Sequence, residues 1–301
     1  MFLGDQDQII QFLLEDGTIK GAILDATNIV KSAISAHNLF PTEALILGQA
    51  LCASALITTT IKGEDRLNIS IECGGPIGGL SCDLNAQGDV RGYLLNNPIA
   101  IDQNKTVSID NLYGPGFLHV RRLSSGSKTP FTGSVELCYP DFASNLAYYY
   151  TTSEQTPTAF VLSLYFDEDK KFEGASGLML QALPGAVDNK LEELQNYLVT
   201  LSKNGECLFS QIKRHGDAGS WLTKNLGNYN LNVIGLKSVR YACGCSKQML
   251  VPFIQGFTKD KLSSLTTESG AIEVKCHGCS TVYSFSKDEI NFYLGDGDAD
   301  K

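Results

Sequence analysis

Two cysteine pairs near the end of the sequence, Cys243-Gly-Cys245 and Cys276-His-Gly-Cys279, are set apart by thirty residues. At these spacings each pair fits on one tight turn, and two facing turns supply four thiolates for a tetrahedral Zn2+ at about 2.3 Å. A site of thiolates alone is closed and lacks the open water position of a metallohydrolase, so its ion holds a fold rather than performing catalysis. One Zn2+ per chain, held by Cys243, Cys245, Cys276 and Cys279 in the reduced form, is therefore expected. A surrounding segment of about sixty residues with a modest core depends on that ion, whose binding free energy, on the order of 10 kcal/mol, becomes folding free energy. The thiols are also open to oxidation. Either pair can bridge locally, yet such short loops constrain an unfolded chain little, so oxidation exchanges a strong organising ligand for two weak staples.

The remaining reactive residue types form no comparable constellation. His277 lies between two of the cysteines and reads as a solvent-facing loop residue, while His37, His119 and His215 are isolated. Cys52 sits in an apolar run and reads as core; Cys73, Cys82, Cys138 and Cys207 have no partner at ligand spacing. Nucleophile-elbow, P-loop and zincin signatures are absent. Gly74-Gly75-Pro76-Ile77-Gly78-Gly79 reads as turn chemistry, and Asp296-Gly-Asp298-Ala-Asp300 lacks the closing Glu of a calcium loop and reads as an acidic tail.

The elements that must position the cysteines follow from periodicity. Residues 8–24 predict a hairpin turning at Asp16-Gly17, followed by helices over Thr27–His37 and from Pro41 through Ala55. Alternating runs predict strands at 66–72, 79–84, 88–94, 133–138, 158–166 and 177–182, with a helix over 141–152. The fold class expected is α+β: a large mixed sheet-and-helix core over 1–186, a helical linker over 187–236, and a small zinc-binding domain over 237–301. Leu191, Leu194, Tyr197, Leu198, Ile212 and Trp221 give the linker an apolar character that a solvated spacer would not need. Between the cysteine pairs, short helices are expected over 247–257 and 259–265, then a returning strand.

Composition narrows the setting. The chain has 301 residues, 43% of them hydrophobic, with a formal net charge of −9 and pI near 5.0, which opposes nucleic-acid binding; Lys170-Lys171, Arg121-Arg122 and Lys213-Arg214 read as solvated faces. The most apolar run, Ala44–Ile57, is bounded by Glu43 and interrupted by Gln49, which argues against a membrane span. Met1-Phe-Leu-Gly-Asp5-Gln-Asp7 has acids where a signal peptide needs an apolar run, so the cytoplasm is the expected compartment. Nine cysteines in a reducing compartment read as ligands, reactive thiols or core residues rather than as a disulfide framework.

Gly88-Asp-Val-Arg-Gly-Tyr93, Ser153-Glu-Gln-Thr-Pro157, Leu180-Gln-Ala-Leu-Pro-Gly185 and the terminal Cys-x-Cys with Cys-x-x-Cys occur in that order. Together they make the chain resemble the 33 kDa chaperonin family, the redox-regulated heat-shock chaperones of bacteria. The resemblance implies an ATP-independent holdase, not an enzyme, inactive while reduced and zinc-bound. It implies activation by oxidation to Cys243–Cys245 and Cys276–Cys279 disulfides with loss of zinc, unfolding of the zinc domain and linker, and dimerisation. Its partners would be unfolding client proteins. Two other readings fit the residues alone: an enzyme with a merely structural zinc ribbon, and a thiol-disulfide oxidoreductase using Cys276 and Cys279, although the helix that opens such a pair is not indicated by the sequence.

Overall fold

The computed structural model describes residues 2–100, 111–187, 189–202, 206–257, 261–262, 265–267 and 270–294. The expected acidic tail lies outside them, as does much of the helix expected over 259–265. The chain divides into two compact units: Leu3–Ala242, and Cys243 onwards together with Phe2.

The first unit is built on one sheet. Its strands are β1 (Phe2–Leu14), β2 (Ile19–Asp25), β3 (Arg66–Cys73), β4 (Gly79–Asn85), β5 (Asp89–Leu94), β6 (Gly116–Leu123), β7 (Phe131–Glu136), β8 (Thr158–Phe166), β9 (Phe172–Ala182) and β10 (Asn232–Cys243). They lie in the order β7-β6-β3-β4-β5-β10-β1-β2-β9-β8. β10 runs parallel to β5, through Arg240 opposite Asp89 and Tyr241 opposite Val90. β1 and β2 form the anticipated hairpin, but Glu15, Asp16 and Gly17 all have positive φ (51°, 53° and 89°), a wider turn than a two-residue Asp-Gly loop.

Helices α1 (Thr27–His37), α2 (Pro41–Ile57) and α3 (Phe142–Thr152) match the apolar periodicities, and Asp141 caps α3 by accepting from the Ser144 amide. The segment 41–60 is long and apolar enough to cross a membrane, with mean hydropathy 1.3, but 78% of that window is buried within the protein. α2 is thus a core helix: beside β9, a side chain added at Gly177 would meet Leu56 and Cys52.

Along β9 the neighbouring positions Leu178 and Leu180 belong to a second apolar cluster. Phe12, Leu14, Ile19 and Ile23 of β1 and β2 join them, together with side chains of α4 (Lys190–Ser202), α5 (Leu208–His215) and α6 (Ala218–Leu226). Leu194, Leu198, Ile212 and Trp221 are buried there, with Leu191 and Tyr197 packed alongside. The apolar residues that argued against a solvated spacer therefore cover one face of the sheet. Gly174 makes room for this layer, because a Cβ there would lie 2.1 Å from the Phe209 ring.

Two strands depart from expectation. The sequence pattern does not indicate β6, and Arg122, half of a pair that reads as solvated, is partly buried and faces Asp65 at 3.6 Å. β10 was not expected either; it runs through positions 236 and 237, where linker was to give way to zinc domain. Its inward positions Val239 and Tyr241 alternate with exposed or half-exposed ones, but Asn232 to Leu236 carry no such pattern.

The second unit contains α7 (Lys247–Gln255), the antiparallel pair β11 (Ile272–Lys275) and β12 (Val282–Phe285), and α8 (Lys287–Leu294). Its apolar core is Ile254, Leu262, Ile272, Phe285 and Ile290. The α+β class stands.

Candidate metal centre

Local structure brings the cysteines to one place. Cys243 ends β10, Gly244 is exposed, and Cys245 lies just before Ser246, whose hydroxyl caps α7 by accepting from the Met249 amide. The second pair occupies the turn between β11 and β12: Cys276 N donates to Thr281 O at 2.9 Å, and Ser280 N donates to Cys276 O at 2.8 Å. Ser280 closes that turn with φ of 57°. Lys247 fixes the start of α7 against α8, its ammonium 2.6 Å from Glu289 Oε1 and 5.0 Å from the centre of the Phe285 ring.

The four sulfurs all lie within 4.8 Å of one another, with Cys243 Sγ 3.7 Å from Cys276 Sγ and Cys245 Sγ 3.4 Å from Cys279 Sγ. Four sulfurs at about 2.3 Å from a central ion stand roughly 3.8 Å apart, so the arrangement is compatible with a tetrahedral metal site. None of the nine cysteines is in a disulfide. Cys243, Cys245 and Cys279 are buried and Cys276 half-buried, so the site is closed, and exposed His277 stands outside the cluster.

Burial pushes the Cys245 thiol up to about 12, against a hydrogen bond from Tyr283 that pulls it down; burial likewise raises Cys276. Four thiolates packed this closely would need a cation to neutralise them, so binding a metal here would release protons. Two further groups complete the site. The Tyr283 hydroxyl donates to Cys245 O at 3.0 Å and lies 3.1 Å from Cys245 Sγ, while Thr281 Oγ1 lies 3.2 Å from Cys279 Sγ. Neither was singled out from sequence. The available signal was the alternation in β12, where Val282 and Ser284 are exposed and Tyr283 and Phe285 turn inward.

A mixed-sheet α+β unit followed by a small unit with a closed four-cysteine site is the class of protein that this fold and site define. Residues 7–286 match the family described as Hsp33 protein, and the chain belongs to that family. It is similar to the 33 kDa chaperonin of Desulforamulus reducens, with 35% identity covering 96% of this chain and 97% of that one. It is also similar to the 33 kDa chaperonin of Bacillus licheniformis, at 31% identity over 94% and 97% of the two chains. The crystal structure of the 33 kDa chaperonin (heat shock protein 33 homolog) of Thermotoga maritima superposes with a TM-score of 0.80 at 26% identity, covering 96% of this chain and 98% of that one.

The geometry around Gly88 gives that sequence motif a physical reading. Gly88 has φ of 95°, its carbonyl accepts from Arg240 N at 3.0 Å, and a Cβ there would stand 2.3 Å from Ser238 O. Only glycine lets β10 approach so closely. The next residue, Asp89, holds Arg240 Nε at 2.8 Å.

Proposed function

We propose that this protein is an ATP-independent holdase of the cytoplasm whose activity is governed by the oxidation state of its four clustered cysteines. The observation that carries the reading is the convergence of Cys243, Cys245, Cys276 and Cys279, within 4.8 Å, in a chain of the Hsp33 family. In the resting state the four thiolates hold one Zn2+, which supplies charge neutralisation and a fixed tetrahedral geometry to a unit with a small core. Residues 1–186, 187–236 and 237–301 then serve as core, linker and metal domain.

Oxidation removes two electrons for each disulfide, so two equivalents of peroxide convert the four cysteines to Cys243–Cys245 and Cys276–Cys279. Those sulfurs can no longer serve as thiolate ligands, and the metal is lost. Local pairing within each turn replaces the contacts that run between the turns, Cys243 Sγ with Cys276 Sγ at 3.7 Å and Cys245 Sγ with Cys279 Sγ at 3.4 Å. Unfolding then spreads to the linker helices. The surface they leave, including Phe12, Leu14, Ile19 and Ile23, together with their own Leu194, Leu198 and Trp221, becomes an apolar face for unfolding clients. The active form is a homodimer; neither nucleic acid nor a membrane takes part.

The test follows zinc release with a colorimetric chelator during peroxide treatment at raised temperature, with light scattering from an aggregating client in the same sample. Loss of about one zinc per chain in step with suppressed aggregation supports the proposal. Zinc loss with no suppression overturns it.

A further inference from the structure

The C-terminal end of α2 carries more positive charge than its surroundings use. The helix runs into a 3-10 turn at Thr58–Thr60, and two lysines from separate strands point at consecutive carbonyls of it. Lys20 of β2 donates to Thr59 O at 2.8 Å, and Lys237 of β10 donates to Thr58 O. Lys62 follows in the next loop, close enough to Lys20 for their charges to repel.

A helix C-terminus presents roughly half an elementary negative charge, whereas three lysines bring a charge of about three. Among the described residues no carboxylate lies within ion-pair distance of Lys20, Lys62 or Lys237. Asp65, three residues beyond Lys62, is turned instead to Arg122 and the Ser125 amide. Burial holds both Lys20 and Lys237 below the usual lysine range, and repulsion from Lys62 and Lys20 respectively adds to it. Each ammonium has three N–H groups and spends one on a carbonyl, leaving donors that no described protein group takes.

We propose that Lys20, Lys62 and Lys237 form a binding site for a small multivalent oxyanion of the phosphate class. Two or three converging ammonium groups suit a tetrahedral dianion better than a single carboxylate, since each oxygen can meet a separate donor. The chain as a whole carries −9, so anions have no general attraction to it, and the site is a local reversal of sign. A bound oxyanion would tie β2, the end of α2 and β10 together, and would relieve the repulsion between the lysines. This inference concerns the sheet unit alone and stands or falls independently of the redox reading.

The experiment is thermal unfolding of the reduced, zinc-loaded full chain, followed by Trp221 fluorescence, in inorganic phosphate or sulfate against sodium chloride of equal ionic strength. The expected result is a rise in Tm of about 3 °C at saturating phosphate, lost in the Lys20→Gln/Lys237→Gln variant. Equal Tm in phosphate and chloride overturns the proposal. So does a phosphate shift that the double variant retains, because general salt stabilisation acts on both proteins alike. Lys62 is exposed, so Lys62→Gln folds as the parent does and serves if the double variant does not: a diminished phosphate shift supports the site, and an unchanged one overturns it.

Discussion

Asp7 is a carboxylate inside the fold, accepting from the Ile29 amide at 2.8 Å and the Asn28 amide at 3.3 Å at the start of α1. Burial raises it from the ordinary 3.8 to about 6 despite those two bonds, with Asp25 adding repulsion. Its folded value lies above its unfolded one, so its contribution to stability is full below about pH 4 and is lost as pH rises through 6. Asp7→Asn should remove that dependence. Denaturant titrations from pH 4 to 7 are expected to show the parent losing up to about 3 kcal/mol relative to the variant. Equal slopes for the two proteins would exclude Asp7 as the source. At the metal centre, Cys276→Ser is expected to abolish stoichiometric zinc binding in the purified protein, measured by atomic absorption, whereas Cys138→Ser, exposed and remote in spacing, should leave it intact. The four cysteines were legible in the sequence because metal chemistry demands both a residue type and a spacing. Tyr283 and Thr281 were not, because a hydroxyl near a sulfur obeys no spacing rule.

Among the elements, β10 depends on the glycine that immediately precedes β5. Gly88→Ala places a Cβ against Ser238 O at a positive φ, and is expected to cost about 2 kcal/mol or more and to speed amide exchange at Val239 to Tyr241. Helices α4, α5 and α6 depend on a polar hub. The Gln211 side chain donates to Leu201 O at 3.2 Å and Glu206 O at 2.9 Å and accepts from Trp221 Nε1 at 3.1 Å, while itself buried. Gln211→Leu leaves the indole N–H and two carbonyls without this partner, at roughly 1–3 kcal/mol for each group left buried. The single tryptophan reports the outcome: its emission should shift to the red at lower denaturant than in the parent. Helices with a clear apolar stripe were legible, and so were strands bounded by Gly-rich turns. β6 escaped because Arg121 and Arg122 stand together, one exposed and one partly buried, and adjacent charges look solvated when the sheet is unknown. β10 escaped because its exposed Val233, Ile234 and Leu236 blur the alternation that its inner half keeps.

For the whole molecule, the contrast between the two units sets the response to metal loss. Among the described residues the small unit rests on a core of five buried apolar side chains, whereas the sheet unit has packed layers of its own. A strong chelator under reducing conditions is expected to erase amide protection in α7, β11, β12 and α8 while the strands β3 to β6 keep theirs. Uniform loss across both units would contradict this. The α+β class was readable from the succession of elements, but the membership of β10 in the central sheet was not, since pairing over some 150 residues leaves no local trace.

That membership has a consequence for synthesis on the ribosome. The ribbon β7-β6-β3-β4-β5 and the ribbon β8-β9-β2-β1 are both complete in sequence by Ala182, but the strand that joins them ends at Cys243. At roughly 5–20 residues per second, the growing chain spends on the order of several seconds with the edges of β5 and β1 uncapped. Open edges invite pairing with other chains. A member of a chaperone family thus passes through a vulnerable interval of its own, and it ends only when the joining strand has emerged.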